Sequence, residues 1–210
     1  MDDKVNNLKT FGFFKDLKNE DLKVIAQAVS EKEFDSNTII IEQETEPDIT
    51  YFLVSGSVRI YRITQEGTEV NLSICGPGEV IGEMAFVDGG VRSANVETLA
   101  PSKFLTLAGG DFKNLMTKYP DIAYQLILIL TNRVRKLGEF MEESMSQKLP
   151  HRTWHVLEIL SKYFPNGEIT LSQEELSNVV GGTRARVTEI LDNLQTEGKI
   201  ELSHKKIKVL

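Results

Sequence analysis

The sequence predicts an α+β chain with an N-terminal β-roll, one long helix and a C-terminal winged helix-turn-helix, and three changes of texture predict it. From Phe34 to Leu107, short β-branched runs alternate with Gly and Pro turns. From Asp121 to Met145, apolar residues recur at helical spacing, and Gly138 is the only Gly or Pro. Beyond Pro150, helix-sized segments separated by glycine turns lead into two short alternating strands. The 210 residues suffice for one large domain or two small ones with a linker, and 40% hydrophobic with 26% charged residues is globular composition, neither disordered nor collagen-like.

The first element is a helix around Leu22, Ile25, Ala26 and Val29, with Asn19 or Lys18 where its N-cap falls. The strands follow at Thr38–Ile41, Tyr51–Val54, Ser57–Ile63, Glu69–Ile74 and Ala94–Leu99. Gly56, Glu66-Gly67, Gly76-Pro77-Gly78 and Gly89-Gly90 lie between or beside them. In the long helix, Ile127, Leu130, Val134, Leu137 and Met141 step by 3, 4, 3 and 4 residues, a seam of about two heptads. One reading is an amphipathic helix packed on its own roll. The other is a helix that pairs with its own copy, which Leu126, Leu128 and Ile129 favour by widening the apolar face. Leu149-Pro150 breaks the helix as a hinge. The chain therefore divides into 1–119 (roll), 120–149 (long helix and hinge) and 150–210 (winged unit), with no internal repeat.

No apolar run approaches the ~18 residues of a membrane span. The acidic start, Met1-Asp2-Asp3-Lys4, is no secretory signal, and the lone Cys75 fits a reducing compartment, so a cytoplasmic location is expected. Net charge is −7, which argues against nucleic acid until it is located. Residues 1–149 hold 16 Lys/Arg against 23 Asp/Glu, whereas residues 150–210 hold 8 of each. The C-terminal third is free of the excess acid.

Residues 78–94 carry the most chemistry in the roll. Gly82 lets the backbone approach a ligand, and Glu83, Met84, Ala85 and Phe86 form a short helical turn whose amides suit an anion. Gly89-Gly90 reverses the chain, bringing Arg92 over the same space, where guanidinium and the Ser93 hydroxyl make a phosphate clamp. Glu83 has the wrong charge for phosphate and the right acceptor for a sugar hydroxyl. In the C-terminal unit, Ser172 and Glu175 form a capping box, Gly181 makes the turn, and Thr183 caps the next helix. Val187, Ile190, Leu191 and Leu194 face its core, leaving Arg184, Ala185, Thr188 and Glu189 outward and Arg186 to one side. An outward arginine near a helix N-terminus suits guanine in a major groove.

Gly-Glu nine residues ahead of Arg-Ser-Ala, between strands, resembles the phosphate-binding cassette of the cyclic-nucleotide-binding domain. The segment from Ser172 through Gly181-Gly182-Thr183-Arg184 to Ile200 resembles the winged helix of the catabolite activator and fumarate–nitrate regulator family. The likeness covers nearly the whole chain in the family's order. It implies a homodimeric transcription regulator whose binding to a palindromic double-stranded operator is controlled by a cyclic nucleotide, cAMP first, with RNA polymerase as a further partner and no membrane. It implies that Gly82, Glu83, Met84, Ala85, Arg92 and Ser93, with Arg133, Leu137 and Gly138 of the long helix, surround the nucleotide. Ser172, Thr183, Arg184, Arg186, Thr188, Glu189 and Lys205 would meet DNA, and Ile127, Leu130, Val134, Leu137 and Met141 the second copy.

Three departures from the family qualify that likeness. Leu137 and Gly138 stand where cAMP-responsive members place adjacent hydroxyls on the adenine amine, so cAMP, cGMP, a cyclic dinucleotide and ligand independence stay open. Ala185 and Glu189 replace a common glutamate and a common arginine, so the family's usual operator does not transfer. The cysteine cluster of the oxygen-sensing branch is absent, and His151, His155 and His204 all lie in the C-terminal unit, so no metal, haem or iron–sulfur cluster is expected. A cyclic-nucleotide module acting on a protein partner is the alternative from another class. No catalytic constellation is present in the sequence, and Glu83 has no partner acid or histidine nearby, so no enzyme is expected.

Overall fold

Helix α1 (Asp2–Thr10) carries Asp2 and Asp3 in its first turn and Lys9 in its last, matching the helix dipole, and buries Val5 and Leu8. The structure, a computed structural model, describes residues 2–146, 148–203 and 206–210, and every side chain among them but 136, 139–146 and 165. A 3₁₀ turn (Gly12–Phe14) leads to α2 (Asn19–Ala28), which buries Leu22, Ile25 and Ala26. Lys18 takes the N-cap position, without a side-chain bond.

Eight strands follow: β1 (Ser30–Phe34), β2 (Ile39–Ile41), β3 (Ile49–Ser55), β4 (Val58–Ile63), β5 (Glu69–Cys75), β6 (Val80–Ile81), β7 (Asn95–Thr98) and β8 (Ser102–Ala108). They form two antiparallel sheets of order β1-β8-β3-β6 and β2-β7-β4-β5. Between the sheets lie Ile41, Tyr51, Leu53, Val58, Cys75, Ile81, Val96 and Phe104. Phe52, Leu105 and Leu107 face the other way, into a second core closed by α1, α2 and the helices after β8. Aromatic edges join it: Phe11 meets Phe52 at 5.6 Å, and Phe13 stacks on Phe112 at 5.7 Å. The exposed charges of β1 suit a sheet edge.

Helix α3 (Met84–Asp88) interrupts the roll between β6 and β7, and α4 (Gly109–Lys118) closes it. Helix α5 (Pro120–Ser146) spans 27 residues, with Pro at its first position where no N–H is needed. Its inner face, Ile122 and Leu126 with Ile129 and Leu130, packs on the roll's second core. The expected break at Leu149-Pro150 falls slightly earlier. Helix α6 begins at Leu149 and accommodates Pro150 in its first turn, for the same reason that α5 accepts Pro120.

The C-terminal unit comprises α6 (Leu149–Ser161), β9 (Glu168–Ile169), α7 (Gln173–Val180), α8 (Arg184–Thr196), β10 (Ile200–Ser203) and β11 (Lys206–Val209). Its sheet has the order β10-β11-β9, so the expected hairpin gains a third strand through the Ile207–Ile169 pair. Leu157, Leu160, Leu176, Val179, Val187, Ile190 and Leu191 form its core, which Leu99 and Ala100 of the roll also enter. Among the described residues no helix is long and apolar enough to cross a membrane.

Candidate functional site

Gly82 follows β6 with φ +79°. A Cβ there would stand 2.5 Å from Arg92 Nη1 and 2.9 Å from Ile41 Cδ1, so glycine alone lets the chain turn with the guanidinium against it. Arg92 is 4% exposed. It donates from Nη1 to Gly82 O (2.7 Å) and from Nη2 to Ile49 O (2.6 Å) and Asp48 Oδ1 (3.1 Å), with its guanidinium carbon 5.4 Å from the Phe86 ring centre. Three acceptors thus fix the plane of the guanidinium.

Glu83 is 1% exposed, and the two oxygens of its carboxylate differ. Oε1 accepts from Arg133 Nη1 at 2.5 Å, while Oε2 is buried with no hydrogen-bond partner among the described residues. Burial pushes the Glu83 carboxyl above the usual carboxylate range, against the pull of Arg133. Burial also opposes the Arg133 charge, but Glu83 and Glu79 more than offset it and hold that guanidinium firmly protonated. Arg133 reaches down from α5, donates to Val80 O as well, and lies 3.7 Å from Glu79.

Gly82, Glu83, Met84, Ala85, Arg92, Ser93 and Arg133 line one cavity of about 70 Å³, with Ile41, Ile60, Ile81, Ala94 and Val96 as its apolar walls. It offers a fixed cation and a hydroxyl beside a buried, unused acceptor. That set suits a ligand bearing both an anionic group and a hydroxyl. Leu137 and Gly138 are not in its lining, and both are exposed on α5. Asp48 and the carbonyls of Ile49 and Val80 are additions that the sequence did not signal, since a carbonyl has no residue code and Asp48 lies 44 residues from Arg92. Cys75 is buried outside this cavity, and burial pushes its thiol up to about 11. Among the described residues no group of three or more His, Cys, Asp or Glu could hold a metal ion.

In the C-terminal unit, Ser172 Oγ accepts from Glu175 N at 3.1 Å and Glu175 Oε2 accepts from Ser172 N at 2.6 Å, closing the capping box. Gly181 turns the chain at φ +68°, and Thr183 Oγ1 accepts from Arg186 N at 3.4 Å to open α8. Arg184, Ala185, Arg186 and Glu189 are exposed together on the first turns of α8. Arg186 and Glu189 pair at 2.5 Å. Thr188 is half-buried and turned inward, its hydroxyl within 2.8 Å of Gln173 Oε1 and 2.9 Å of Arg184 O. Lys205 lies outside the described residues.

Residues 31–119 match the family model of the cyclic nucleotide-binding domain. Over 152 residues the chain is 29% identical to the cyclic AMP receptor protein of Thermus thermophilus, covering 72% of this chain and 70% of that protein. Over 203 residues it is 24% identical to a CRP-like cAMP-activated global transcriptional regulator of Mycobacterium tuberculosis, covering 93% and 91%. The solved structure of a protein from Eubacterium rectale, assigned to the CRP/FNR family of transcriptional regulators, shares the fold with a TM-score of 0.76 at 22% identity, over 96% of this chain and 94% of that one. The chain carries a cyclic nucleotide-binding domain, and the proteins it resembles over most of its length are transcriptional regulators of the CRP/FNR type. These relatives are transcriptional regulators rather than enzymes.

The long helix sorts the heptad-spaced residues by face. Ile127 (59% exposed), Val134 (70%) and Leu137 (45%) stand outward with Tyr124 and Leu128. Leu130 does not share that face, because it is half-buried against the roll's second core with Ile129. The side chain of Met141 lies outside the described residues.

Proposed function

We propose that the chain is a homodimeric transcription regulator whose binding to a palindromic operator is controlled by a cyclic nucleotide, cAMP first, held in the roll. The observation that carries this reading is the Glu83 carboxylate, buried beside the Arg92 clamp with Oε2 unsatisfied. A buried acceptor without a partner is costly, and a ribose hydroxyl would satisfy it while the cyclic phosphate meets Arg92 and Ser93. Two relatives carry cAMP in their names, which supports that choice of nucleotide. The exposed apolar row on α5 supports pairing with a second copy, and the exposed first turns of α8 support major-groove contact through Arg184, Arg186 and Glu189. Ser172, Thr183 and Lys205 would serve phosphates, Thr188 would brace α8 against α7, and RNA polymerase would be the downstream partner.

A second reading, the same regulator with a different effector or none, is favoured by Leu137 and Gly138, whose side chains offer a base no hydrogen bond. Calorimetric titration of nucleotide-stripped protein with cAMP, cGMP and cyclic di-GMP separates the two. Binding of cAMP at one site per subunit, micromolar or tighter, upholds the first reading. Absence of heat from all three refutes it and leaves the second.

A further inference from the structure

We infer that β5 and the turn after it form a docking surface for the chain's own C-terminal unit, and that this docking belongs to the contracted state of the cradle. Three contacts make the surface. Asn71 Nδ2 on β5 donates to Val179 O at 2.5 Å, one of the last four carbonyls of α7, which have no partner within the helix. Gly76 is buried under Tyr163, and a Cβ at position 76 would stand 2.0 Å from the ring atom Cε1. Ile74 packs against the C-terminal core that Leu99 and Ala100 enter.

The same strand leads back to the cradle. Strand β5 pairs with β4, and the ladder shifts register between Ile60 and Tyr61, so Asn71 stands opposite Tyr61 beside the irregularity. Ile60 is a cradle wall. The cavity of about 70 Å³ is far below the roughly 300 Å³ at which small-molecule sites begin, so a nucleotide must spread its walls. Spreading Ile60 moves the ladder where it is already irregular and draws Asn71 from Val179. The docked state is also poised: Asn71 makes one bond while its Oδ1 is buried without a partner, and undocking returns that oxygen to water. Val179 lies two residues before the Gly181 turn into α8, so Asn71 and Tyr163 are positioning residues for the DNA-reading helix. This route runs within one subunit and does not pass through α5.

The identity of the ligand rests on the nucleotide reading above, whereas the docking itself does not, so the test uses two readouts on the full chain. Gly76→Ala introduces the clash with Tyr163 at a position of ordinary φ, and Asn71→Ala removes the donor to Val179 from the same roll surface. Because coupling is reciprocal, loosening the docked state favours the open cradle. Both variants should bind cAMP about 5-fold or more tighter than wild type. Peptides spanning 71–76 and 173–182 should exchange amide hydrogen faster, and Tyr163→Phe, which keeps the ring, should match wild type. Unchanged or weaker cAMP binding in both variants, with faster exchange, overturns the link to the cradle. Unchanged exchange in both overturns the docking surface. If wild type itself gives no heat with cAMP, the nucleotide reading fails, and exchange alone then decides the docking surface by the same criterion.

Discussion

Arg92→Ala removes a guanidinium with a role in tying strands together and a proposed role as a phosphate clamp, and the two losses can be measured apart. Without ligand, Arg92 ties Gly82 O at 2.7 Å to Ile49 O at 2.6 Å, joining the end of β6 to the start of β3. Charge-assisted bonds contribute about 1.5–3 kcal/mol each, and water entering the vacated space recovers part of that. The Asp48 contact adds under ~1 kcal/mol, because its carboxylate is 78% exposed. The net loss is about 2–4 kcal/mol, which for a chain of this length lowers Tm by roughly 5–15 °C. With cAMP, loss of the phosphate clamp is expected to weaken binding 30- to 1,000-fold, again about 2–4 kcal/mol. Differential scanning calorimetry reads the first effect and isothermal titration the second, with Arg92→Lys keeping the charge but not the two-sided fork. A variant melting within about 2 °C of wild type would refute the strand-tying role. Unaltered cAMP affinity would refute the clamp.

Val134→Glu places a charge at a position 70% exposed, so it should yield monomers by sedimentation while roll stability changes by under ~0.5 kcal/mol; a surviving dimer moves the seam elsewhere. Leu130→Glu buries its charge against the roll and should lower Tm as well. Arg184→Ala should lose ~1–3 kcal/mol of discrimination at one base pair per half-site, read by selection from random duplexes, and an unchanged preference counts against a base-reading role. Glu83 predicts a pH effect of defined sign. Its folded carboxyl titrates above its unfolded value, so the folded state binds more protons between the two, and stability falls as pH rises from about 4.5 through the raised value. Glu83→Gln should remove that fall in urea titrations. A variant with the wild-type slope places the effect on another carboxylate.

Local chemistry was the part of the site most legible in sequence. Ser172 and Glu175 close their capping box because both partners lie within one helical turn. Gly82 through Arg92 gather because a short helix and a reversal bring the segment back on itself. Long-range geometry was not legible. Leu130 has the heptad spacing of Val134 yet faces the roll, because the periodicity of a wide apolar face does not say which edge meets which neighbour. Strand β3 is buried on both faces from Thr50 to Leu53, which erases the alternation that would orient it. Strand β1 reads as polar because it guards an edge. Leu137 and Gly138, placed near the nucleotide by resemblance alone, are not in the lining of the cradle.

Arg133 and Val134 are adjacent, yet one reaches the buried Glu83 and the other stands in the open. Rotation of α5 that shifts the first must therefore swing the second, so the cradle wall and the seam proposed for a second copy form one mechanical element. A ribose hydroxyl at Glu83 Oε2 would leave Oε1 bonded to Arg133, so the ligand adds to the ion pair rather than competing for it. By donating to the carboxylate it would favour the charged form, strengthening the grip on Arg133 and with it one setting of α5. That would give the proposed ligand a differential affinity for one arrangement, without which no binding energy shifts a population. A swing from 1:99 to 99:1 requires a preference of about 10⁴-fold. One hydroxyl contact cannot supply it, so the proposed control requires Arg92, Ser93 and the walls at Ile60 to meet the ligand unequally in the two arrangements as well.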